Sequence, residues 1–134
     1  MNRQPVVLVV ASDGLTRLVT ANGLAMYGFE VLSAKDGAEA IAHLEARRVA
    51  VVVTDADLGG EIDGMAVAKH ARGLSSKTDV IYTSRAPYRI PEKDKVTGAP
   101  CIRTPFHPQQ IVGIISELKQ RSSASSELLE RRVA

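Results

Sequence analysis

Cysteine is nearly absent from the chain. Cys101 is the single one, which excludes an internal disulfide and a multi-cysteine metal cluster and is typical of a reducing compartment. A surplus of one charge is missing too, because 17 Lys and Arg are mixed with 15 Asp and Glu, and no basic stripe indicates a nucleic-acid partner. No apolar run is long enough for a secretory leader or a membrane span. The sequence therefore predicts an untargeted, cytoplasmic protein that binds neither nucleic acid nor membranes.

Short β-branched runs alternate with helical patterns along the chain. Apolar runs at residues 6–11, 49–54 and 80–83 are typical of strands buried on both faces of a sheet, and shorter strands are predicted at 28–32 and 100–103. Apolar residues at helical spacing fill the intervals between these strands. The alternation predicts an α/β fold with a five-stranded parallel sheet and about five helices.

Two regions depart from this regular alternation. Pro87 and Pro91 flank a polar stretch with few apolar anchors, so we expect the fourth helix to be short or irregular. The last helix is predicted from about residue 107 to 119. The 45% hydrophobic content fits one core, so we predict one domain over residues 1–121, followed by a serine-rich linker and short tail at 122–134.

An acidic residue, Asp55, ends the third predicted strand. In a doubly wound sheet, ligands bind in the crevice beyond the carboxyl ends of the strands. A carboxylate in that crevice acts as a nucleophile or holds a cation. The alternative interpretation is a surface aspartate that only stops the strand.

Four short motifs together resemble one known family. Residues 53–65 read as a strand end, a loop and an Asp-Gly helix start, and residues 28–40 read as a strand and a second such helix start. Thr83 is followed by a serine, and Gly98 stands ahead of Thr104-Pro105-Phe106. The region from residue 6 to about 119 therefore resembles the CheY-like receiver domain of two-component response regulators. The resemblance implies a flavodoxin-like, doubly wound sheet in the order 2-1-3-4-5 with helices on both faces.

The resemblance also implies a site for phosphoryl transfer. Asp55 falls on the phosphoacceptor, Thr83 on the switch hydroxyl, and Thr104 on the position of the lysine that pairs with a phosphoryl oxygen. A Mg²⁺ ion is held in the family by an acidic pair after the first strand, by the phosphoacceptor and by the backbone carbonyl at the position of Asp57. Phosphoryl transfer to aspartate needs little beyond positioning and charge neutralisation.

Several of these charges are missing from the sequence. Ala11 and Ser12 stand where the family has its acidic pair, and Thr104 is neutral where the family has lysine. Asp13 and Asp57 are the remaining acids near the phosphoacceptor position. We therefore expect a degenerate active site in which Mg²⁺ binding is weak. The candidate metal ligands are Ser12, Asp13, Asp55 and Asp57.

The sequence thus predicts a stand-alone response regulator receiver domain in a two-component phosphorelay, with Asp55 phosphorylated weakly or not at all. The expected partners are a sensor histidine kinase or phosphotransfer protein and a downstream protein target, and a homodimer stays open. No enzymatic activity is expected beyond self-catalysed phosphoryl transfer to Asp55. The alternative is a pseudo-receiver that acts as a phosphorylation-independent interaction module. A small α/β enzyme is disfavoured, because residues 11–14 lack the glycine pattern that binds nucleotide phosphates.

Residues near the predicted fourth helix receive no functional role from the sequence. Tyr82 and Tyr88 are explained by core packing and surface exposure, and Cys101 by packing as a strand thiol. The basic residues of this region are interpreted as a solvated charged face; they are Arg85, Arg89, Lys93 and Lys95.

Overall fold

Five short strands pair in parallel at the centre of the molecule. The computed structural model describes residues 4–133, with side chains described through residue 121. The strand order is β2-β1-β3-β4-β5, which confirms the predicted doubly wound sheet. The strands are β1 (Val6–Val10), β2 (Glu30–Ala34), β3 (Val51–Asp55), β4 (Asp79–Ser84) and β5 (Cys101–Arg103).

Four α-helices connect or follow these strands. An aspartate caps the start of each of the first three by accepting a hydrogen bond from a backbone N–H three residues on: Asp13 from Thr16, Asp36 from Glu39 and Asp63 from Ala66. These bonds satisfy donors that have no partner within a helix. The helices are α1 (Gly14–Met26), α2 (Gly37–Ala46), α3 (Gly64–Leu74) and α4 (Pro108–Val133).

Hydrophobic clusters cover both faces of the sheet. Alternate residues of each central strand point to opposite faces, so Leu8 packs with the α2 and α3 side and Val9 with the α1 and α4 side. Leu44 and Val67 close the first cluster, and Ile111 belongs to the second. The resulting three layers leave the strand ends open to loops.

The segment between β4 and β5 corrects the expected helix count. Among the described residues there are four α-helices and not about five, because this segment forms only two single turns of 3-10 helix, Pro87–Arg89 and Glu92–Asp94. Proline lacks the N–H that a continuing helix requires. The expectation of a short or irregular helix is thereby confirmed. The buried Tyr82 hydroxyl accepts a hydrogen bond from the Val96 N–H at 3.1 Å and ties the segment to the core.

The last helix is longer than predicted. It begins at Pro108 and runs through the serine-rich segment to Val133, where the sequence predicted an end near residue 119. The side chains from residue 122 onward lie outside the described part, so the domain boundary at residue 121 stays a prediction. No helix in the described part of the chain is long and apolar enough to cross a membrane.

Candidate functional site

A cavity of about 950 Å³ opens at the carboxyl ends of the strands. Because the strands are parallel, the loops that follow β1, β3, β4 and β5 all reach this edge of the sheet. Every residue that the sequence predicts for the site lines the cavity: Ser12, Asp13, Asp55, Asp57, Thr83 and Thr104.

Asp55 and Thr83 form the floor of the cavity. The two residues are paired in the register of β3 and β4, and the Thr83 hydroxyl donates a short hydrogen bond to Oδ1 of Asp55. Thr83 is buried, while Asp55 is half-buried. The Ala56 N–H also donates to the Thr83 carbonyl at 2.9 Å, so main chain and side chain together fix the carboxylate at the strand ends.

The surroundings of Asp55 favour its protonated form. Burial raises the pKa of this carboxyl, and this is the largest effect. The hydrogen bonds from the Thr83 hydroxyl and the Ser12 N–H lower the pKa by less than burial raises it, and the charges of Asp13 and Asp57 add the smallest contributions, both upward. The cavity floor therefore holds a carboxylate with two hydrogen-bond donors and negative neighbours.

Gly64 holds the main chain of Asp55 in place. A Cβ atom at position 64 would lie 1.9 Å from the Asp55 carbonyl oxygen, so only glycine fits there. The loop that connects Asp55 to α3 turns through Gly59 and Gly60, whose positive φ angles of 73° and 75° suit glycine. Ile62 then packs against Gly37 at the start of α2. The Asp-Gly helix start thus fixes the strand end that carries Asp55.

Several solved structures share this fold. A response regulator receiver protein from Sinorhizobium medicae has a TM-score of 0.76 at 24% identity, over 87% of this chain and 94% of its own. The chemotaxis protein CheY4 of Vibrio cholerae has a TM-score of 0.74 at 25% identity, over 87% of this chain and 99% of its own. The receiver domain of the hybrid histidine kinase CckA has a TM-score of 0.71 at 27% identity, over 84% of this chain and 97% of its own.

The family model of the response regulator receiver domain matches residues 7–115. The chain belongs to this family. No curated protein matches it significantly. The match to the family model confirms the predicted family, and the strand order confirms the predicted fold. Response regulator receiver domains act in two-component signalling. The roles of individual residues stay predictions.

Receiver domains typically bind Mg²⁺, and the fit of this one to the ion depends on which oxygen atoms near Asp55 are free to bind it. Oδ2 of Asp13 accepts hydrogen bonds from the N–H and the hydroxyl of Thr16 at 2.8 and 2.6 Å, so this carboxylate is engaged in capping α1. At the Ala11 position, Nη1 of Arg17 donates to the main-chain carbonyl at 2.7 Å.

The chemistry of this edge is therefore unlike that of a magnesium site. Mg²⁺ requires near-octahedral oxygen ligands and is bound through carboxylates. Here the Arg17 guanidinium instead donates a hydrogen bond to the main-chain carbonyl of Ala11, just after β1. Among the described residues, no three His, Cys, Asp or Glu side chains are placed to share a metal ion. The residues present do not fit the family's metal site in this arrangement.

The position of the family's lysine carries no charge. Thr104 lines the cavity, and its backbone N–H donates to the Ser84 carbonyl at 2.9 Å. The neighbouring Arg103 is exposed and does not line the cavity.

Two basic residues of the cavity were interpreted otherwise from the sequence. Arg85 and Arg89 line it, although both were interpreted as part of a solvated charged face. Neither had a signal in the sequence, because Arg85 lies in the bend after β4 and the place of Arg89 depends on the 3-10 turn Pro87–Arg89.

Proposed function

We propose that Asp55 is the phosphoacceptor of this receiver domain and takes its phosphoryl group from a sensor histidine kinase or a phosphotransfer protein. The observation that carries the proposal is the pairing of the Asp55 carboxylate with the Thr83 hydroxyl at the floor of the cavity. A fixed nucleophile beside a hydrogen-bond donor in a walled crevice suits phosphoryl transfer. We assign the chain no activity beyond this self-catalysed transfer.

The transfer forms one bond and breaks one. A carboxylate oxygen of Asp55 attacks phosphorus, the P–N bond of a phosphohistidine breaks, and the departing imidazole takes a proton from water. The new phosphoryl group brings a charge of about −1.5 to −2 into the cavity. The oxygens of this group are better acceptors for the Thr83 hydroxyl than the remaining oxygen of the phosphorylated carboxyl is.

Movement of the Thr83 hydroxyl passes the signal outward. Thr83 belongs to β4, and the loop that follows β4 forms one wall of the cavity. A hydroxyl that turns toward the phosphoryl group draws this loop with it, and a downstream protein target reads the new surface. That the protein is a stand-alone response regulator stays a prediction from the sequence.

Magnesium has a minor place in this proposal. Asp13 and Asp57 are the acids beside Asp55, and Asp13 is already engaged by Thr16. We therefore expect weak Mg²⁺ binding, and no step of the transfer is assigned to the ion.

A phosphorylation-independent interaction module is the second candidate function. The observation that favours it is the electrostatics of Asp55, whose pKa is raised by burial and by two acidic neighbours. A dianionic phosphoryl group is costly beside uncompensated negative charge. In this second function, the receiver scaffold binds a constant protein partner.

Amide NMR spectra separate the two functions. Wild type and Asp55→Asn are titrated with Mg²⁺ and then with beryllofluoride, which mimics a phosphoryl group on aspartate. Phosphoacceptor function predicts shifts at Asp55, Thr83 and the loop after β4 in the wild type, with none of them in Asp55→Asn. Spectra of the wild type that do not change at millimolar concentrations of both reagents would instead support the interaction module.

A further inference from the structure

Arg85 extends from the end of β4 over the cavity that holds Asp55. It follows Ser84, the last residue of the strand, and stands two residues after Thr83. Both Thr83 and Arg85 line the cavity, Thr83 from β4 and Arg85 from the bend that follows the strand. The Arg85 side chain is exposed at the mouth, while Thr83 is buried at the floor.

The other cations of this region lie outside the cavity or are directed elsewhere. Nη1 of Arg17 donates to a main-chain carbonyl at the end of β1 at 2.7 Å, and Nε of Arg103 donates to the Arg85 carbonyl at 3.5 Å. Neither of these two side chains lines the cavity, and within the described part of the chain no lysine does. The Arg89 guanidinium carbon lies 6.0 Å from the centroid of the Tyr88 ring. Arg85 is therefore the cation best placed above Thr83.

We propose that the Arg85 guanidinium pairs with the phosphoryl group on Asp55 and supplies the positive charge that Thr104 does not. This inference rests on the proposed function of Asp55. A guanidinium presents a planar fork of N–H donors that matches two phosphoryl oxygens. The cation thus comes from the β4 end of the crevice and not from the β5 end.

Arg85 gains a stronger negative charge to act on when the site is modified. In the unmodified protein its charge makes the last of the contributions that lower the pKa of Asp13, after the Thr16 hydrogen bonds and Arg17. The charges that act on Asp55 are both negative, from Asp13 and Asp57. A phosphoryl group on Asp55 projects from the floor toward the mouth, where it offers Arg85 about −1.5 to −2 of charge in place of one carboxylate.

This exchange couples the modification to the adjacent loop. Arg85 is joined directly to the segment that contains the 3-10 turn Pro87–Arg89. Pairing of Arg85 with the phosphoryl group moves this segment toward the cavity, in the same direction as the Thr83 hydroxyl. Thr83 in β4 and Arg85 in the loop that follows therefore sense the same group.

Phosphoramidate is the probe for this inference, because it donates a phosphoryl group without a protein partner. In its zwitterionic form the P–N bond breaks, ammonia leaves, and an Asp55 oxygen forms the new P–O bond. The rate of phosphoprotein formation is measured by intact mass for wild type, Asp55→Asn, Arg85→Gln and Arg85→Lys. Arg103→Gln is the matched control, since it removes one exposed guanidinium that does not line the cavity, and Arg89→Gln tests the other arginine of the cavity wall.

The inference predicts that Arg85→Gln slows modification by about tenfold or more, because a charge-assisted bond to the reacting group is lost. Arg85→Lys restores part of the rate, Arg103→Gln stays within about twofold of wild type, and Arg89→Gln slows modification less than Arg85→Gln does. Equal rates for wild type and Arg85→Gln overturn the inference and leave Asp55 as phosphoacceptor. Slowing by Arg89→Gln as large as that by Arg85→Gln overturns it too, because the effect then belongs to the general charge of the crevice. A wild type that takes no phosphoryl group, like Asp55→Asn, overturns both proposals.

Discussion

Asp55 combines a half-buried position with acidic neighbours, and its stability effect depends on pH. An unfolded aspartate has a pKa near 3.8, and burial raises the folded value above that. Between the two values the folded state binds more protons than the unfolded state, so stability falls as pH rises through this window. Above the folded pKa the full cost of the buried charge is present.

Asp55→Asn is therefore expected to be more stable than wild type at neutral pH. The difference in the free energy of unfolding shrinks as pH falls through the raised folded pKa of Asp55, where the wild-type carboxyl becomes protonated. Urea unfolding of both proteins across this range measures the difference. Asp79, whose pKa is also raised by burial, contributes equally to both and cancels. A difference that grows as pH falls would contradict the assigned cause.

Gly64 provides a second test at the residue scale. Gly64→Ala is expected to lower the free energy of unfolding by about 1–3 kcal/mol, because the added Cβ meets the Asp55 carbonyl. Gly73→Ala in the same helix is the control, since a Cβ there has nothing within 4 Å. Its stability stays unchanged or rises by up to about 1 kcal/mol. Equal effects of the two changes in chemical denaturation would show that Gly64 has no special place.

Ser12 tests the missing acidic pair. Ser12→Asp returns one carboxylate to the cavity wall beside Asp55 and is expected to tighten Mg²⁺ binding about tenfold or more, the size of effect that a supporting carboxylate has at metal sites. Ser33→Asp adds the same charge at an exposed position of β2 and is expected to leave the affinity unchanged. NMR titration with Mg²⁺ measures both variants. Equal affinities for both would mean that position 12 is not a ligand position.

The site was predictable from the sequence only where a residue's role follows from its place on a strand. Asp55 ends a buried strand and Thr83 stands one residue before the end of the next one, and parallel pairing brings such ends together. The engagement of Asp13 by Thr16 and the reach of Arg85 depend on side-chain directions. Strand and helix periodicity carries no information about those directions beyond the face of the element.

At the scale of elements, the segment between β4 and β5 is held by a tyrosine and not by a helix. Tyr82→Phe removes the acceptor of the Val96 N–H and is expected to cost about 0.5–1.5 kcal/mol of unfolding free energy. Hydrogen exchange at the Val96 amide becomes faster. Tyr88→Phe, at a residue that is 76% exposed, is the control and leaves both quantities unchanged. Unaltered exchange at Val96 in Tyr82→Phe would contradict the assigned anchor.

Helix α1 shows what periodicity can and cannot predict. Apolar residues at helical spacing located the helix correctly, but Leu15, Leu18 and Met26 are 70%, 58% and 88% exposed, whereas Leu24 is fully buried. Spacing predicts that a segment is helical, because the pattern repeats with the helix turn. It does not say which neighbours cover the face. The prolines between β4 and β5 indicated that no regular α-helix forms there, since the effect of proline is local.

At the scale of the whole molecule, the parallel sheet creates the site. Its order could be predicted because the motifs resemble one family, and the strands' own residues then explain the packing: every residue of β1 is buried, as both sheet faces are covered by helices. The length of α4 was not predictable, because a serine-rich segment lacks the apolar spacing on which helix prediction depends. The position of a charged side chain such as Arg85 likewise depends on how the loops around the cavity assemble.

We propose that Asp55 accepts a phosphoryl group in this cavity, and transfer from a small phosphodonor is the direct test. Wild type and Asp55→Asn are incubated with phosphoramidate, and the intact mass of each is recorded, followed by peptide mapping of the modified site. The account predicts one added phosphoryl group on the wild type, located on Asp55, and none on Asp55→Asn. An unmodified wild type, or equal modification of both proteins, would contradict it.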